Sequence, residues 1–425
     1  MFKNNAWVDA SKPCTPKNTA NDFVDTFQKT IASIKKEGFD STKSLVPCTS
    51  DLFPLNGAHR IAAALGLLLP SMPVERTPDK TTSDWQSNFF VSRGMDPKYA
   101  EYAILEFLLR TEQATVITLW PEAVANVERM SGVGALVTKE CTSNDNGHNI
   151  LFKKRFGVNR RGLRSLVNHA YGSESFVPAK YALLAESFKG TAEEETVDVE
   201  FLFVIAKGKG TSAEMIECKD KLRKHFSAGD PKSSVHIPDF HGEAVLLGQM
   251  SLNPNSRHYL NHHGLAKGAG GGDTCRYIAT ELGKRKDLPQ ANPGNFVFDR
   301  GMIIDTGAVM GYFDLRENTD ADILFAGEID DAYLGSTNGL FVESHAFTSN
   351  MRAGKELAWG DYHINGDVAV TDDLFADPDN YGYCYGLKFI SLEQLIRYKT
   401  KRGEKGKDDI DAESVQNFLD KYPKN

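Results

Sequence analysis

The pattern of apolar and polar positions predicts both helices and strands along most of the chain. In residues 21–36, Phe23, Phe27 and Ile31 recur at four-residue steps behind an Asn-Asp start, which predicts an amphipathic helix. Residues 197–205 (VDVEFLFVI) are rich in β-branched and aromatic side chains and predict a strand. Further strands are expected at 45–48, 72–74, 116–119 and 234–237, and further helices at 61–69, 99–110, 179–187, 215–226 and 242–263.

Changes in local composition divide the chain into four predicted regions. The charged stretch 191–195 (TAEEE) and the Pro/Gly-containing stretch 289–294 mark two of the boundaries. The regions are 1–85, a small module with an N-terminal lead-in; 86–190, mainly helical; 191–290, an α/β middle region; and 291–425, alternating strands and helices. The predicted fold class is therefore α/β (α+β), multidomain, with mixed sheets and flanking helices.

Composition and charge narrow the function classes. The chain has 425 residues, of which 41% are hydrophobic and 25% charged, enough apolar material for sizeable cores. The net charge of −8 argues against nucleic acid as a partner, because broad phosphate-backbone binding needs a basic surface. The longest apolar run, 61–70, falls far short of the roughly 20 residues that span a bilayer, and no secretory signal pattern is seen.

The cysteine pattern suggests the cellular compartment. The chain has 6 cysteines and no CxxC pair, which is too sparse for a disulfide framework or a structural zinc site. This usage predicts a reducing compartment and, together with the composition, a cytoplasmic enzyme.

Residues 46–75 contain a strand, a tight loop and a helix start around Gly57, His59 and Arg60. Glycine permits the turn, and a helix N-terminus attracts anions. Arg60 adds a cationic fork, and His59 adds a donor or proton carrier. Together these residues suit a phosphate group, and the alternative is a strand–turn–helix with a solvent-facing arginine.

The Gly-x-His-Arg box between two predicted strands resembles the ParB/sulfiredoxin-like superfamily over roughly residues 40–80. The resemblance implies nucleotide binding or small-molecule kinase activity. Gly57, His59 and Arg60 would hold the nucleotide, and His59 would also take part in catalysis. Asn56 stands where that superfamily commonly has aspartate.

A second candidate site lies in residues 303–325. A turn containing Gly311 is expected there, followed nine residues later by Asp320-Ala-Asp322 and an apolar run. In a strand, residues two apart point to the same side, so both carboxylates would face one metal site. Mg²⁺ and Mn²⁺ prefer such oxygen ligands. The alternative is a solvated strand edge with alternating acids.

The glycine, the spacer and the Asp-x-Asp pair resemble the polymerase-beta-type nucleotidyltransferases over roughly residues 295–420. The resemblance implies a third carboxylate on a later strand, for which Asp367 is the candidate. It also implies a basic C-terminal helix in which Lys399 and Arg402 bind the nucleotide. Tyr312 follows Gly311 where the family has a serine that helps to hold a triphosphate.

The middle of the chain offers weaker candidates. His236, Asp239, His241 and Glu243 could bind a metal or perform acid–base chemistry, or they could be polar loop residues beside a strand. The loop Gly268–Gly272 could hold an anion or act as a hinge. The basic stretch 153–164 is predicted to form a helix face or a local pocket for an anionic substrate.

The leading functional hypothesis is a metal-dependent transferase of a phosphate-containing or nucleotide-activated group. Asp320, Asp322 and Asp367 would bind Mg²⁺ or Mn²⁺, and one carboxylate would deprotonate an acceptor hydroxyl, for example of a glycan. A nucleotide or nucleotide sugar would be the donor, so a glycosyltransferase is a close variant. The alternatives are a kinase that uses the N-terminal box and a non-enzymatic, nucleotide-responsive binding protein.

Overall fold

The computed structural model divides the chain into two compact units, Met1–Met95 and Asp96–Asn425. The residues that it describes are 19–42, 45–50, 54–67, 69–78, 87–142, 150–172, 174–190, 192, 195–226, 230–264, 302–304, 306–316, 323–325, 363–364, 367–368, 374, 377–402 and 406–424. The loop Gly268–Gly272 lies outside these residues, so its predicted roles stay predictions.

The N-terminal unit combines helices with one small parallel sheet. Thr19 caps the first helix: its hydroxyl accepts from the backbone N–H of Asp22 at 3.2 Å, and the Asp22 carboxylate accepts from the backbone N–H of Thr19 at 2.8 Å. The two strands pair in parallel, with Val46 opposite Val74. The elements are α1 (Ala20–Glu37), β1 (Val46–Cys48), α2 (Ala58–Gly66), β2 (Val74–Arg76) and α3 (Ser87–Val91).

The helix α2 differs from the buried helix that was predicted over 61–69. It begins three residues earlier, at Ala58, and ends at Gly66. Ala63 and Ala64 are its buried residues, whereas Leu65 is 51% exposed. The apolar run was therefore misleading, because only the face with small side chains is buried.

The second unit begins with a sheet surrounded by helices. Its 242–263 region, predicted as helical, contains two helices separated by Asn253, whose side chain accepts from the backbone N–H of Ser256 at 2.9 Å. The elements are α4 (Pro97–Arg110), β3 (Ala114–Leu119), α5 (Pro121–Ala125), α6 (Val127–Ser131), α7 (Val133–Cys141), β4 (Ile150–Val158), α8 (Arg160–Tyr171), α9 (Val177–Ala185), β5 (Val197–Ile205), α10 (Ala213–Phe226), β6 (Val235–His236), α11 (His241–Leu252) and α12 (Pro254–His262).

This sheet has the order β4-β5-β3-β6, and all of its neighbours are antiparallel. Alternate residues of β3 enter two different cores: Ile117 packs in a cluster with residues of α7 and α10, and Val116 packs in a larger cluster with residues of α4, α8 and α11. Gly242 and residues 244–252 of α11 are all buried. The central sheet is therefore covered on both faces.

The basic stretch 153–164 is not a helix face. It forms the second half of β4 and the start of α8. Arg155 donates to the Glu200 carboxylate at 2.8 and 2.6 Å, and Lys154 donates to Glu101. These cations pair with carboxylates on other elements, so the pattern does not mark an open anion pocket at these two residues.

The cysteine prediction is wrong for part of the chain. Cys141, at the end of α7, and Cys218, in α10, form a disulfide with an S–S distance of 2.04 Å. Cys384 is disulfide-bonded as well, and Cys48 is a buried free thiol. Because disulfides persist mainly in oxidising compartments, the cysteines do not support the predicted cytoplasmic location.

The C-terminal part contains a second four-stranded sheet with the order β11-β12-β7-β8. In it, β12 and β7 run parallel, and the other neighbours are antiparallel. A separate two-stranded sheet joins β9 and β10. The elements are β7 (Met302–Ile304), α13 (Thr306–Tyr312), β8 (Ile323–Phe325), β9 (His363–Ile364), β10 (Asp367–Val368), β11 (Tyr381–Cys384), β12 (Leu387–Ile390), α14 (Leu392–Arg402) and α15 (Lys407–Lys421).

The turn predicted at Gly311 is a helix instead. Gly311 is buried within α13, among neighbours that include Val309 and Met310. The chain turns later, at Asp314, where φ is 61° and the backbone N–H donates to the carbonyl of Gly311 at 3.1 Å. Burial of the apolar run as a helix satisfies its backbone groups, which a buried turn would leave unpaired.

The fold class is mixed α and β, with small sheets and flanking helices, as the sequence predicted. Across the described ranges, no helix is long and apolar enough to cross a membrane.

Candidate functional site

The residues of the N-terminal box lie at the start of α2, beside the beginning of β1. The chain reaches this position because it doubles back: the backbone N–H of Leu55 donates to the carbonyl of Pro47 at 2.9 Å. Gly57 occupies the N-cap of α2 with φ 92°, a left-handed conformation that favours glycine. His59 is exposed, and its ring centroid lies 5.3 Å from that of Phe27.

Arg60 fixes the box to β1. Its Nη1 donates to the carbonyl of Leu45 at 2.8 Å, and burial lowers the pKa of the guanidinium. A Cβ on Gly57 would lie 3.0 Å from Arg60 Nη2 and 3.1 Å from Val46 Cγ2. The glycine therefore permits this close approach, and Arg60 has a structural contact whether or not it also binds a ligand.

The Asp-x-Asp pair directly precedes a strand. Asp320 and Asp322 lie outside the described residues. The next residue, Ile323, begins β8 and pairs with Ile304 of the antiparallel strand β7. The structure describes a strand from Ile323 onward, so the prediction that the pair itself lies on a strand, and the metal-binding role of the two carboxylates, stay predictions.

Asp367 begins β10, as the prediction of a strand at this position requires. It pairs with Ile364 of β9 in a two-stranded sheet that is distinct from the sheet of β7 and β8. Its role as a third metal ligand stays a prediction.

The predicted nucleotide-binding residue Lys399 lies in a buried ion cluster. Its ammonium is 3.0 Å from Asp408 Oδ1 and 3.0 Å from Asp411 Oδ2, and its side chain is 3% exposed. Asp411 also accepts from Arg316 Nη1 at 2.8 Å. The cluster joins α14 to α15 and to the turn after α13. Arg402 is the last residue of α14.

The four residues of the middle cluster do not share a common partner. His236 is buried in β6, whereas His241 Nδ1 lies 3.3 Å from the Ala114 carbonyl. Asp239 Oδ1 accepts from Lys219 Nζ at 3.3 Å, and Glu243 Oε2 accepts from the backbone N–H of Asp239 at 2.9 Å. No group of three or more His, Cys, Asp or Glu side chains within the described residues is arranged to hold a metal ion.

Glu243 makes the stability dependent on pH. Burial raises the pKa of its carboxyl to about 6, although the N–H of Asp239 opposes the shift. Because the folded state binds this proton more tightly than the unfolded state, the contribution is present below the ordinary pKa and is lost as pH rises through about 6. Because solvent screens this partly buried carboxyl, we expect the free energy of unfolding to fall by about 1 kcal/mol as the pH rises through this pKa. Urea unfolding at several pH values measures this change.

The variant Glu243→Gln should remove this part of the pH profile. Glu214→Gln, a change at an exposed position of α10, should retain it. An unchanged profile in Glu243→Gln would show that another group titrates.

No protein-family model, curated protein or solved structure matches this chain. The two family resemblances therefore rest on their motifs alone.

Sequence reasoning missed a group of residues around His236. Trp120 follows β3, Tyr171 ends α8, and Lys180 lies in α9, so they are distant in sequence. The rings of Tyr171 and His236 lie 4.5 Å apart, and Lys180 Nζ lies 5.6 Å from the ring centroids of both Trp120 and Tyr171. The one sequence signal for this group is the spacing of Thr118 and Trp120. They lie two positions apart, so in an extended strand their side chains would share a face.

Proposed function

We propose that this protein is a metal-dependent transferase that moves a phosphate-containing or nucleotide-activated group to a hydroxyl acceptor. The observation that carries the proposal is the strand–helix–strand unit β7–α13–β8, in which β8 starts at the residue after Asp322. If the extended backbone of β8 continues back through the pair, Asp320 and Asp322 share one face, because residues two apart in a strand do so.

The chemistry of these donors fits a divalent cation. Asp320, Asp322 and Asp367 supply the hard carboxylate oxygens that Mg²⁺ and Mn²⁺ prefer. A bound ion would neutralise negative charge on the phosphate oxygens of the donor. One of the carboxylates would accept the proton of the attacking hydroxyl, which makes that oxygen a better nucleophile.

The buried ion cluster gives the basic C-terminal motif a supporting role in this proposal. Lys399, Asp408 and Asp411 hold α14 and α15 together, and α14 follows directly on β12, which is a neighbour of β7 in the sheet. In this arrangement the motif stabilises the sheet that contains β8, the strand that follows Asp322 in the sequence. Direct binding of a nucleotide by Lys399 would require it to leave its two carboxylates.

The test adds nucleoside triphosphates and nucleotide sugars to the full chain with and without Mn²⁺. Binding is monitored by the melting temperature of the protein. We expect the melting temperature to rise when metal and nucleotide are present together, because a ligand of the native state stabilises it by mass action. Asp320→Asn and Asp322→Asn should each weaken the apparent affinity by about tenfold or more.

The matched control is Glu317→Gln, which removes a carboxylate from the same segment and should leave the affinity within about twofold. Equal binding by all three variants would contradict the proposal.

A second candidate function, nucleotide binding or kinase activity at the N-terminal box, is favoured by one observation. The N-cap of α2 is a glycine and provides no side-chain capping hydrogen bond. Helix N-termini of this kind suit phosphate groups. Under this alternative, His59→Gln would abolish a nucleotide-dependent thermal shift that Asp320→Asn and Asp322→Asn leave intact.

A further inference from the structure

Three buried polar side chains project from one face of the first sheet of the second unit. Thr118 of β3 is paired directly with His236 of β6, so the two side chains lie on the same face. Trp120 lies two residues beyond Thr118, and its backbone N–H donates to the Ser234 carbonyl at 2.9 Å, which continues the pairing. The three residues are 0%, 3% and 0% exposed in the order Thr118, His236 and Trp120.

Two of these side chains have no hydrogen-bond partner within the described part of the chain. The atoms concerned are Thr118 Oγ1 and both ring nitrogens of His236, whereas the Trp120 side chain has the Tyr171 hydroxyl as a neighbour. Buried polar atoms in folded proteins nearly always have a partner, and an isolated unpaired group is costly. Two such residues paired across a sheet therefore indicate a site for a molecule that supplies the missing partners.

The charge at this corner favours an anion. The charged groups that act on His236 are all cations, namely Lys219, Lys180 and Arg223, and together with burial they lower the pKa of its ring well below the ordinary value. Lys180 is buried, and its ammonium donates to the backbone carbonyl of Lys232. Among the described residues, no carboxylate lies within ion-pair distance of Lys180.

The acids nearby have other partners. Asp239 is 59% exposed and pairs with Lys219, and the Glu243 carboxylate accepts from the backbone N–H of Asp239. Asp230 acts on Lys180 as a more distant charge and accepts from the backbone N–H of Lys232. The positive field at His236 is therefore only partly compensated.

Aromatic rings limit the size of the site and connect it to the surface. The Tyr171 ring lies edge-on to His236, and Phe176, which is 48% exposed, lies edge-on to Tyr171 with centroids 5.4 Å apart. The rings of His236, Tyr171 and Phe176 therefore form a row that begins in the interior and ends at the solvent. A small group could enter along it only if Tyr171 and Phe176 move.

We propose that this corner, the polar corner formed by Thr118, Trp120, His236 and Lys180, binds the carboxylate or phosphate group of a small molecule. The indole N–H, the hydroxyl, one imidazole N–H and the ammonium are all donors, and the oxygens of such an anion are all acceptors. The aromatic rings shield the pair of opposite charges from water and so strengthen their attraction. The proposal uses none of the residues of the transferase site proposed above and does not depend on it.

The test is titration of the full chain with inorganic phosphate and, in parallel, with acetate, at constant ionic strength. The readouts are the melting temperature and the indole N–H resonance of Trp120, which is assigned with Trp120→Phe. We expect one of the two anions to shift both readouts saturably, and the arm that saturates identifies phosphate or carboxylate as the natural group.

The charge variant separates this site from nonspecific anion effects. Lys180→Met should weaken the binding by about tenfold or more, whereas Lys232→Met, which removes an exposed cation next to the corner, should change it by less than about twofold. Equal effects of the two variants would overturn the proposal, and so would the absence of any shift of the Trp120 resonance with both anions. A wild-type response that His236→Gln abolishes while it remains folded would support it.

Discussion

Lys399→Met should destabilise the protein by about 3–5 kcal/mol, measured by urea-induced unfolding of the full chain. The ammonium of Lys399 lies between Asp408 and Asp411, whose side chains are 0% and 4% exposed. Removing the cation takes one ion-pair partner from each of two buried carboxylates, and Asp411 retains its ion pair with Arg316. A buried charge that loses its partner costs far more than an exposed pair is worth.

Two controls identify the cause. Lys407→Met removes a cation from the exposed first residue of α15 and should change the stability by less than about 0.5 kcal/mol. Adding Asp408→Asn to Lys399→Met should recover part of the loss, since the double variant has one buried carboxylate fewer. Equal stability of Lys399→Met and Lys407→Met would mean that the cluster contributes nothing, and the predicted role of Lys399 in nucleotide binding would then gain weight.

Local sequence patterns predicted the helices and strands whose own residues carry a clear signal for that element. The predicted strand 197–205 corresponds to β5 residue for residue, because its β-branched and aromatic side chains favour a strand and its residues 199–204 are buried in the sheet. The helix α1 was predicted within one residue at each end, since its start carries a capping box and its apolar residues recur at helical spacing.

Local sequence patterns could not predict a strand that carries several charges, nor the distant side chains with which those charges pair. The strand β4 contains Lys154 and Arg155, and its cations look like those of a helix face until their partners are known. Glu101 and Glu200 supply these partners from 53 and 45 residues away. The same limit applies to the sites: local patterns indicated Gly57 at a helix start, but only the fold brings Lys180 to His236.

The disulfide between Cys141 and Cys218 should provide about 4.5 kcal/mol of the stability of the protein. The two residues are 77 apart in the sequence, and the chain-entropy model assigns a bond of this span a contribution of roughly this size, because it restricts the unfolded chain. Both residues are fully buried in the core between α7 and α10, so the bond also joins two helices that pack on one face of the sheet. The double variant Cys141→Ala/Cys218→Ala should show the loss in urea unfolding under oxidising conditions.

A reducing agent distinguishes the bond from the packing of its sulfur atoms. It should lower the stability of the native chain by more than it lowers that of the double variant, because the variant has already lost this bond and keeps only the one that involves Cys384. Cys48→Ala removes a buried thiol without breaking a disulfide, and it should cost no more than about 1–2 kcal/mol. If the reducing agent affects the native chain and the double variant equally, the Cys141–Cys218 bond is dispensable.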